Sequence, residues 1–376
     1  MMRSGAATVC LWLSLVFPSS FVVHKYLGWE GAAAYAIVVA MAVALMPRLP
    51  EGLSDRNLFW QALATFLVIV VVFFVIYPIV NTHAPGSGSD DDDSINVGAT
   101  ALLTGHSPYA RTSYLGNVLH HFPGTFVLAV PFVLLGTSAL QNLFWLPLFF
   151  LAVREEARDG RTALQLAWLV LAFSPAVIHE VVTGTGYVSN TIYVLLGLWW
   201  LVRTKHRDIA ALAWGLALAS RANFLFLAPL AFGWLWHHAG WRIALRATAL
   251  TCVTAACLTV PFYLHDPRTF GPLDAANRLL VFNELFPHLG VALMALMAAL
   301  AIGLSFTPMD AAALFRNCAL VQAFPVVTGV VLSTLQEGHL NLWYARYGSF
   351  FAWFVLMALV TRRPARPLLL RRFTES

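Results

Sequence analysis

Four consecutive aspartates give one stretch of the chain a clear capacity for acid–base chemistry: Asp90, Asp91, Asp92 and Asp93. They stand before a run of small and apolar residues, 95–103, whose spacing predicts a helix that Ser94 could cap. The partial positive charge of a helix N-terminus lowers the pKa of a carboxyl group, whereas repulsion between adjacent carboxylates raises it. A carboxylate adjusted in this way suits a general base, although acidic runs are more often solvated surface.

The same segment supplies side chains that could bind a polar substrate. His106 and Tyr109 follow the predicted helix, and His120 and His121 come directly before an aromatic residue and a Pro-Gly pair that opens another helix. Acidic, aromatic and imidazole groups close together in sequence favour a polar pocket. We therefore include all four residues as candidate substrate contacts.

A divalent cation is the one cofactor that these residues leave open. Asp91 or Asp93 could bind such an ion together with His106 or His121. No spacing here is diagnostic of a metal site, so no metal ligands are predicted. The cysteines fall inside apolar runs without paired or metal-like spacing, which argues against a disulfide framework or a zinc site: Cys10, Cys252, Cys257 and Cys318.

Two arginines are candidates for binding an anionic leaving group. Arg221 follows a short apolar stretch, and Arg346 begins the last apolar stretch between two tyrosines. Arginines inside apolar segments usually face a cavity or a partner, or extend to the membrane surface. Other polar residues are interpreted as loop surface: His179, Glu180, Tyr187, Asn190, His265, Asp266, Glu284, His288, Glu337, His339 and Asn341.

The elements that must position these side chains are membrane-spanning helices. Of the 376 residues, 59% are hydrophobic and 11% are charged, whereas a soluble domain carries about 25% charged residues. Continuous apolar runs recur along the chain, and roughly 20 such residues cross a hydrocarbon core of about 30 Å. We predict an all-α polytopic membrane protein with about twelve spans. They are 6–24, 31–46, 59–80, 138–153, 163–179, 187–202, 209–220, 222–237, 244–263, 289–306, 314–333 and 345–361.

The basic residues indicate the orientation of these spans. One set of loops carries Arg48, Arg56, Arg154, Arg158, Arg161, Arg203, Lys205, Arg207, Arg242, Arg246 and Arg316, and the tail adds Arg362, Arg363, Arg366, Arg371 and Arg372. This set is predicted to be cytoplasmic, with both termini, in a plasma (inner) membrane. The acidic segment then lies on the opposite face. Because the net charge of +5 is spread over many loops, no nucleic-acid partner is predicted.

The chain is predicted to be a single domain over residues 1–376, without internal repeats. Residues 81–136 form its first large outer loop. Residues 122–136 carry Pro123, Gly124 and Pro131 and are predicted to lie in the outer leaflet or to re-enter it.

This loop resembles the first large loop of the GT-C superfamily of membrane glycosyltransferases, and especially bacterial polyprenyl-phosphate-mannose-dependent mannosyltransferases. The resemblance covers about 50 residues. It is carried by the aspartates and by Leu102, Leu103, Gly105, Pro108, Tyr109, Phe122, Pro123, Pro131, Leu134, Leu135 and Gly136. Where the family usually has Tyr-Pro-Pro, this chain has Phe-Pro-Gly.

The resemblance implies a GT-C-like fold and an inverting hexosyl or pentosyl transfer on the non-cytoplasmic face. The donor would be a polyprenyl-phosphate-linked sugar, and the acceptor a lipid or glycan, within the membrane lipids. The family's loop aspartate acts as general base, and its place falls within Asp90 to Asp93. The number of residues between the aspartates and Gly105 favours Asp91 or Asp92 as this base.

Two other classes of function remain open. A multi-span transporter of a small polar solute or lipid-linked substrate would have a similar hydropathy pattern. Against it, no repeat relates the halves, and the acidic cluster lies in a loop instead of at the centre of a span. A membrane-embedded scaffold subunit is the third interpretation.

Overall fold

The computed structural model describes residues 5–45, 54–83, 88–273 and 279–361, and helices are the only regular elements within these ranges. Fourteen α-helices are labelled here in chain order. They are α1 (Gly5–Leu45), α2 (Asp55–Val80), α3 (Asp90–Leu103), α4 (Pro123–Val133), α5 (Leu140–Ala157), α6 (Gly160–Phe173), α7 (Pro175–Thr183), α8 (Tyr187–Arg203), α9 (Arg207–Leu218), α10 (Ala228–Ala239), α11 (Trp241–His265), α12 (Leu289–Ser305), α13 (Ala311–Glu337) and α14 (Ser349–Val360). Short 3₁₀ helices cover Pro108–Ala110, Ala222–Leu227, Val281–Glu284 and Trp343–Gly348.

Helix α1 is folded back on itself at Gly28, whose φ of 68° lies in the left-handed region that glycine tolerates. The Trp12 indole donates to the carbonyl of Ala36 at 2.8 Å, and the Tyr35 hydroxyl donates to the carbonyl of Leu15 at 3.1 Å. In a straight helix, residues 12 and 36 would be about 36 Å apart. The two halves therefore form an antiparallel hairpin.

Five helical segments are long and apolar enough to cross a membrane, and six if the pair α6 and α7, bent by 79°, counts as one broken span. The five are Gly5–Leu45, Asp55–Val80, Trp241–His265, Ala311–Glu337 and Trp343–Val360. The chain is thus a helical protein with several membrane-length segments. The predicted count of twelve spans is not confirmed, because most of the other helices have only 9 to 18 residues.

The core of the molecule surrounds α8. Val188, Ile192, Val194, Leu195 and Leu198 of this helix have no exposed surface. Helices α5, α9 and α14 pack around it, and α13 packs on α14. Because α8 is fixed on all sides, the backbone N–H groups at its N-terminus are held in place, and this end faces the acidic segment.

The acidic segment folds into a small helical unit of α3, the 3₁₀ turn at Pro108–Ala110 and α4. Tyr109, Phe126 and Phe270 form its aromatic core, with centroid separations of 6.0 and 4.8 Å from the tyrosine. Helix α4 has 11 residues and would be about 16 Å long, too short to cross a core of about 30 Å. Residues 84–87 of the outer loop lie outside the described residues.

The predicted orientation depends partly on residues beyond the described ranges. Arg48 and the basic tail with Arg362, Arg363, Arg366, Arg371 and Arg372 lie outside them, as do residues 1–4. The membrane itself and the cytoplasmic location of the termini therefore stay predictions.

Candidate functional site

The four aspartates form the first turn of α3, and Ser89, not Ser94, caps this helix. The Ser89 hydroxyl accepts from the backbone N–H of Asp92 at 3.4 Å, whereas Ser94 is fully buried inside the helix. The helix therefore begins earlier than the apolar pattern indicates. Consecutive side chains on a helix diverge by about 100°. The four carboxylates consequently point to four different surroundings.

Asp91 is the carboxylate at the centre of the candidate site. Its side chain is 7% exposed, and its Oδ1 atom accepts from Arg221 at 2.6 Å and lies 2.9 Å from His121 Nε2. The Oδ2 atom accepts from the backbone N–H of Gly186 at 2.8 Å, at the N-terminus of α8. His120 Nε2 is 4.0 Å from Oδ1. Each oxygen of this carboxylate is thus held by a donor from a distant part of the chain.

These contacts keep Asp91 ionised. Burial by itself raises the pKa of the carboxyl group, but the charge of Arg221 and the contacts of His121 outweigh it and hold the pKa well below its ordinary value. Burial and the charge of Arg221 lower the pKa of His121, even though Asp91 acts in the opposite direction. The neutral imidazole and the guanidinium therefore enclose a permanent carboxylate charge.

Asp92 faces the opposite way and fastens α3 to the bundle. It accepts from the Tyr77 hydroxyl at 2.6 Å, from the Ser138 hydroxyl at 2.7 Å and from the Asn96 amide at 3.1 Å. Burial raises its pKa to about 7, and the charges of Asp91 and Asp93 add to the effect although the hydroxyl donors oppose it. Asp92 is not among the residues that line the cavity described below.

This raised pKa predicts a pH-dependent stability. Because the folded state favours protonated Asp92 more than the unfolded state does, its contribution to stability is present at low pH. That contribution is lost as pH rises from about 4 to about 7. We expect Asp92→Asn, which is neutral at all pH values, to remove this loss. Melting temperatures of the two proteins between pH 5 and 8 check the prediction, and parallel curves would contradict it.

Asp90 and Asp93 hold the loop that follows α3. Asp90 accepts from the Asn117 amide at 2.9 Å, and Asp93 accepts from the backbone N–H of Tyr114 at 2.7 Å. The ring of His83 lies 3.7 Å from Asp93 and stacks on Tyr114. Asp90 also reaches the cavity wall. Asp93 has a structural role, like Asp92.

Arg221 reaches Asp91 from the turn between α9 and the 3₁₀ helix Ala222–Leu227. Its guanidinium carbon lies 4.9 Å from the ring centroid of Tyr187 and 5.4 Å from that of Phe350. Stacking on aromatic faces fixes the plane of the guanidinium. Arg221 is 8% exposed, so its charge acts on Asp91 with little solvent screening.

The turn that carries Arg221 is bonded directly to the start of α4. The backbone N–H of Phe122 donates to the carbonyl of Ser220 at 3.0 Å, and that of Gly124 donates to the carbonyl of Ala219 at 2.6 Å. The Thr125 hydroxyl donates to Ser220 at 2.9 Å. A Cβ atom on Gly124 would lie 2.4 Å from the Ala219 oxygen, so the glycine is required for this approach. We call these three bonds the α4 latch.

A cavity of about 610 Å³ opens beside Asp91. Its wall combines the polar groups of Asp90, Asp91, His120, His179 and Glu180 with the cations Lys25 and Arg346. Its apolar lining includes Phe21 and Val22 of α1 and Ile79 and Val80 at the end of α2. Charged and apolar groups thus meet in one cavity.

Arg346 lines the cavity as a stacked cation. Its guanidinium carbon is 3.9 Å from the ring centroid of Trp343 and 4.9 Å from that of Tyr347, whose hydroxyl accepts from it at 2.9 Å. Within the described parts of the chain, no carboxylate forms an ion pair with it. An anionic ligand could therefore supply its counter-charge.

The structure places the other predicted contacts differently. His121 is fully buried behind Asp91, and His120 borders the cavity. His106 is exposed, contacts Thr104 at 3.1 Å and is not among the cavity-lining residues, so its prediction as a substrate contact is not supported. Tyr109 is buried, and its hydroxyl donates to the carbonyl of His121 at 2.8 Å. Tyr109 thus positions the histidines instead of contacting the cavity.

Glu180 is a residue that the sequence interpretation assigned wrongly to loop surface. It lies in α7 and is 4% exposed. One of its oxygens accepts from the Ser349 hydroxyl at 2.6 Å, and the other accepts from the backbone N–H of Val188 at 2.8 Å. Its position in an apolar run could have indicated that Glu180 is not loop surface, because a carboxylate in such a run is costly and usually functional. Tyr187, interpreted in the same way, also lines the cavity.

A divalent cation could find three ligand atoms here. Asp91, His120 and His121 offer one atom each, all within 4.8 Å of one another. Arg221, however, lies 2.6 Å from the Asp91 oxygen and 2.8 Å from His121 Nε2. An ion could bind only if the guanidinium moved away. The geometry therefore favours Arg221, not a metal, as the counter-charge of Asp91.

The site is thus assembled by α3, α8 and the turns before α4 and after α9. The likeness of its loop to the GT-C superfamily rests on the motif residues alone and stays a prediction. No protein-family model, curated protein or solved structure matches the chain.

Proposed function

We propose that this chain is a membrane glycosyltransferase that uses Asp91 as its general base. The donor is a hexose or pentose, mannose-like, carried on a polyprenyl phosphate, and the acceptor is a hydroxyl group of a lipid or glycan. The observation that supports this most is the placement of an ionised carboxylate in a cavity lined by both charged and apolar groups. A donor with a phosphate, a sugar and a hydrocarbon tail needs all three environments.

The chemistry requires few groups from the protein. The acceptor hydroxyl attacks the anomeric carbon, the bond from that carbon to the phosphate oxygen breaks, and the configuration inverts. The transition state resembles an oxocarbenium ion, and a carboxylate takes the proton of the attacking hydroxyl. Because the leaving phosphate is already a stable anion, cations can stabilise it without a protonating acid. Asp91 fits the first role, and Lys25 and Arg346 fit the second.

The apolar wall suits the carrier's tail. Phe21 and Val22 of α1 and Ile79 and Val80 of α2 line the cavity. A hydrocarbon chain can leave the cavity between them and continue into lipid. The proposal includes about twelve crossings of the inner membrane, cytoplasmic termini and Asp91 on the outer face. A cysteine that replaces Tyr26 should be labelled by a membrane-impermeant reagent added from outside, and this labelling checks the orientation.

We expect Arg346→Gln to weaken donor binding. Losing one charge-assisted hydrogen bond of about 1.5–3 kcal/mol should raise the KM for the donor about 10- to 100-fold, with a smaller change in kcat. Steady-state kinetics at varied donor concentration measure the changes in KM and kcat separately. Arg242→Gln, an exposed arginine next to Trp241 and away from the cavity, is the matched control. A lower kcat with unchanged KM would contradict the assignment.

The proposal is tested with purified protein in liposomes that contain a polyprenyl-phosphate sugar and a lipid acceptor. Formation of a glycosylated acceptor is the expected result. A transporter would instead move solute across the sealed bilayer without forming a new glycosidic bond. Solute flux without transfer would overturn the proposal in favour of the transporter.

A further inference from the structure

A second cavity lies at the other end of α2, away from Asp91. It is a groove of about 290 Å³ between α2 on one side and α5 and α6 on the other. We call the end lined by Asp55, Arg154 and Gly160 its mouth. The rest of the wall is almost wholly apolar, with residues such as Leu58, Phe66, Leu146 and Leu164.

The groove has no polar atom that a polar ligand could use along its length. Thr65 is the polar residue in its middle, and its hydroxyl is already bonded twice. It donates to the carbonyl of Gln61 at 2.8 Å and accepts from the Trp168 indole at 2.9 Å. A concave apolar surface of this kind suits a hydrocarbon chain and disfavours a sugar.

The groove is longer than one leaflet of a membrane is deep. Its α2 wall runs from Asp55 to Ile69, which corresponds to about 21 Å of helix. One leaflet is about 15 Å deep, half of a hydrocarbon core of about 30 Å. A single acyl chain that enters at the mouth can therefore lie in the groove over its whole length.

Arg154 gives the mouth a cation that an anionic headgroup could use. Arg154 has no ion-pair partner within the described ranges, because Glu156 binds Arg203 and Asp159 accepts from the Arg161 backbone and the Thr162 hydroxyl. Asp55 is also at the mouth. It lies in the first turn of α2, where the partial positive charge of the helix N-terminus offsets it.

We infer that this groove binds an anionic phospholipid, with one acyl chain between α2 and α5–α6 and the phosphate against Arg154. This site is separate from the catalytic cavity and does not depend on the proposed transfer reaction.

The test is native mass spectrometry of the full chain released from nanodiscs of equal phosphatidylglycerol and phosphatidylcholine. The wild type should retain one phosphatidylglycerol in preference to phosphatidylcholine. Ala62→Trp fills the groove and should lower its occupancy about tenfold. Arg154→Gln should lower it about fivefold.

Two matched controls make the outcome decisive. Ala64→Trp adds the same ring to the same helix on a surface outside the groove, and Arg56→Gln removes a neighbouring exposed charge that does not line it. Both should retain phosphatidylglycerol like the wild type. Equal retention by all five proteins, or equal retention of the two lipids by the wild type, would overturn the inference. Because sugar transfer is not measured, the result is independent of the proposed function.

Discussion

Replacing Asp91 with asparagine should lower sugar transfer about 100- to 10,000-fold, the usual contribution of a general base. The asparagine side chain has one oxygen, so it can accept from Arg221 or from the Gly186 N–H but not from both, and it leaves the buried guanidinium without its counter-charge. We expect a less stable protein, so transfer is measured at a temperature at which thermal denaturation shows that the variant is folded. What is lost is the ability to take a proton from the acceptor hydroxyl. The measurement is kcat with a polyprenyl-phosphate sugar and a saturating acceptor.

Asp93→Asn is the matched control, since it makes the same chemical change two residues away. Asp93 accepts from the Tyr114 backbone and does not line the cavity, so this variant should keep most of the activity. Turnover by Asp91→Asn at more than half of the wild-type rate would remove Asp91 from the mechanism. Loss of activity in both variants alike would indicate damage to α3 instead of loss of a base.

Arg221→Met should give the largest loss of stability of any single change in the site. It leaves a buried carboxylate without its cation, which costs about 3–5 kcal/mol. The pKa of Asp91 lies below its ordinary value because of this arginine, so the pair stabilises the fold above pH 4 and ceases to do so as the pH falls through the lowered pKa. The variant should lose this contribution and melt at a markedly lower temperature at neutral pH.

The double variant Asp91→Asn with Arg221→Met separates stability from chemistry. Without the carboxylate, no buried charge remains uncompensated, so the melting temperature should recover most of its loss while transfer stays absent. Thermal denaturation in detergent and the transfer assay measure the two effects. A single Arg221→Met protein as stable as the wild type would contradict the role of this ion pair.

The helical class and the region of the site could be predicted from composition and motif, whereas the roles within the aspartate run could not. Which of four neighbouring side chains faces the cavity depends on how α3 packs. That packing requires Gly184 and Gly186, where a Cβ would lie 2.7 Å from Asp92 and 2.8 Å from Ile95. These contacts join segments about 90 residues apart, and no local pattern encodes them.

The pairing of Asp91 with Arg221 could not be predicted from the sequence for the same reason. The two residues are 130 positions apart, and the sequence offers only an arginine beside an apolar stretch. The predicted count of twelve spans stays unconfirmed for a different reason. A broken helix such as α6–α7 has the hydropathy of a span although its halves meet at 79°, so an apolar run does not specify a straight crossing.

The α4 latch affects how a long-chain lipid carrier can exchange. Its three bonds join the histidine-bearing loop to the Arg221 turn, so these two parts of the site should move together as one piece. On the proposed function, Phe21, Val22, Ile79 and Val80 offer the carrier's tail an apolar path out of the cavity. Fresh donor and spent carrier that use this same path compete for it, so accumulated carrier phosphate should slow turnover.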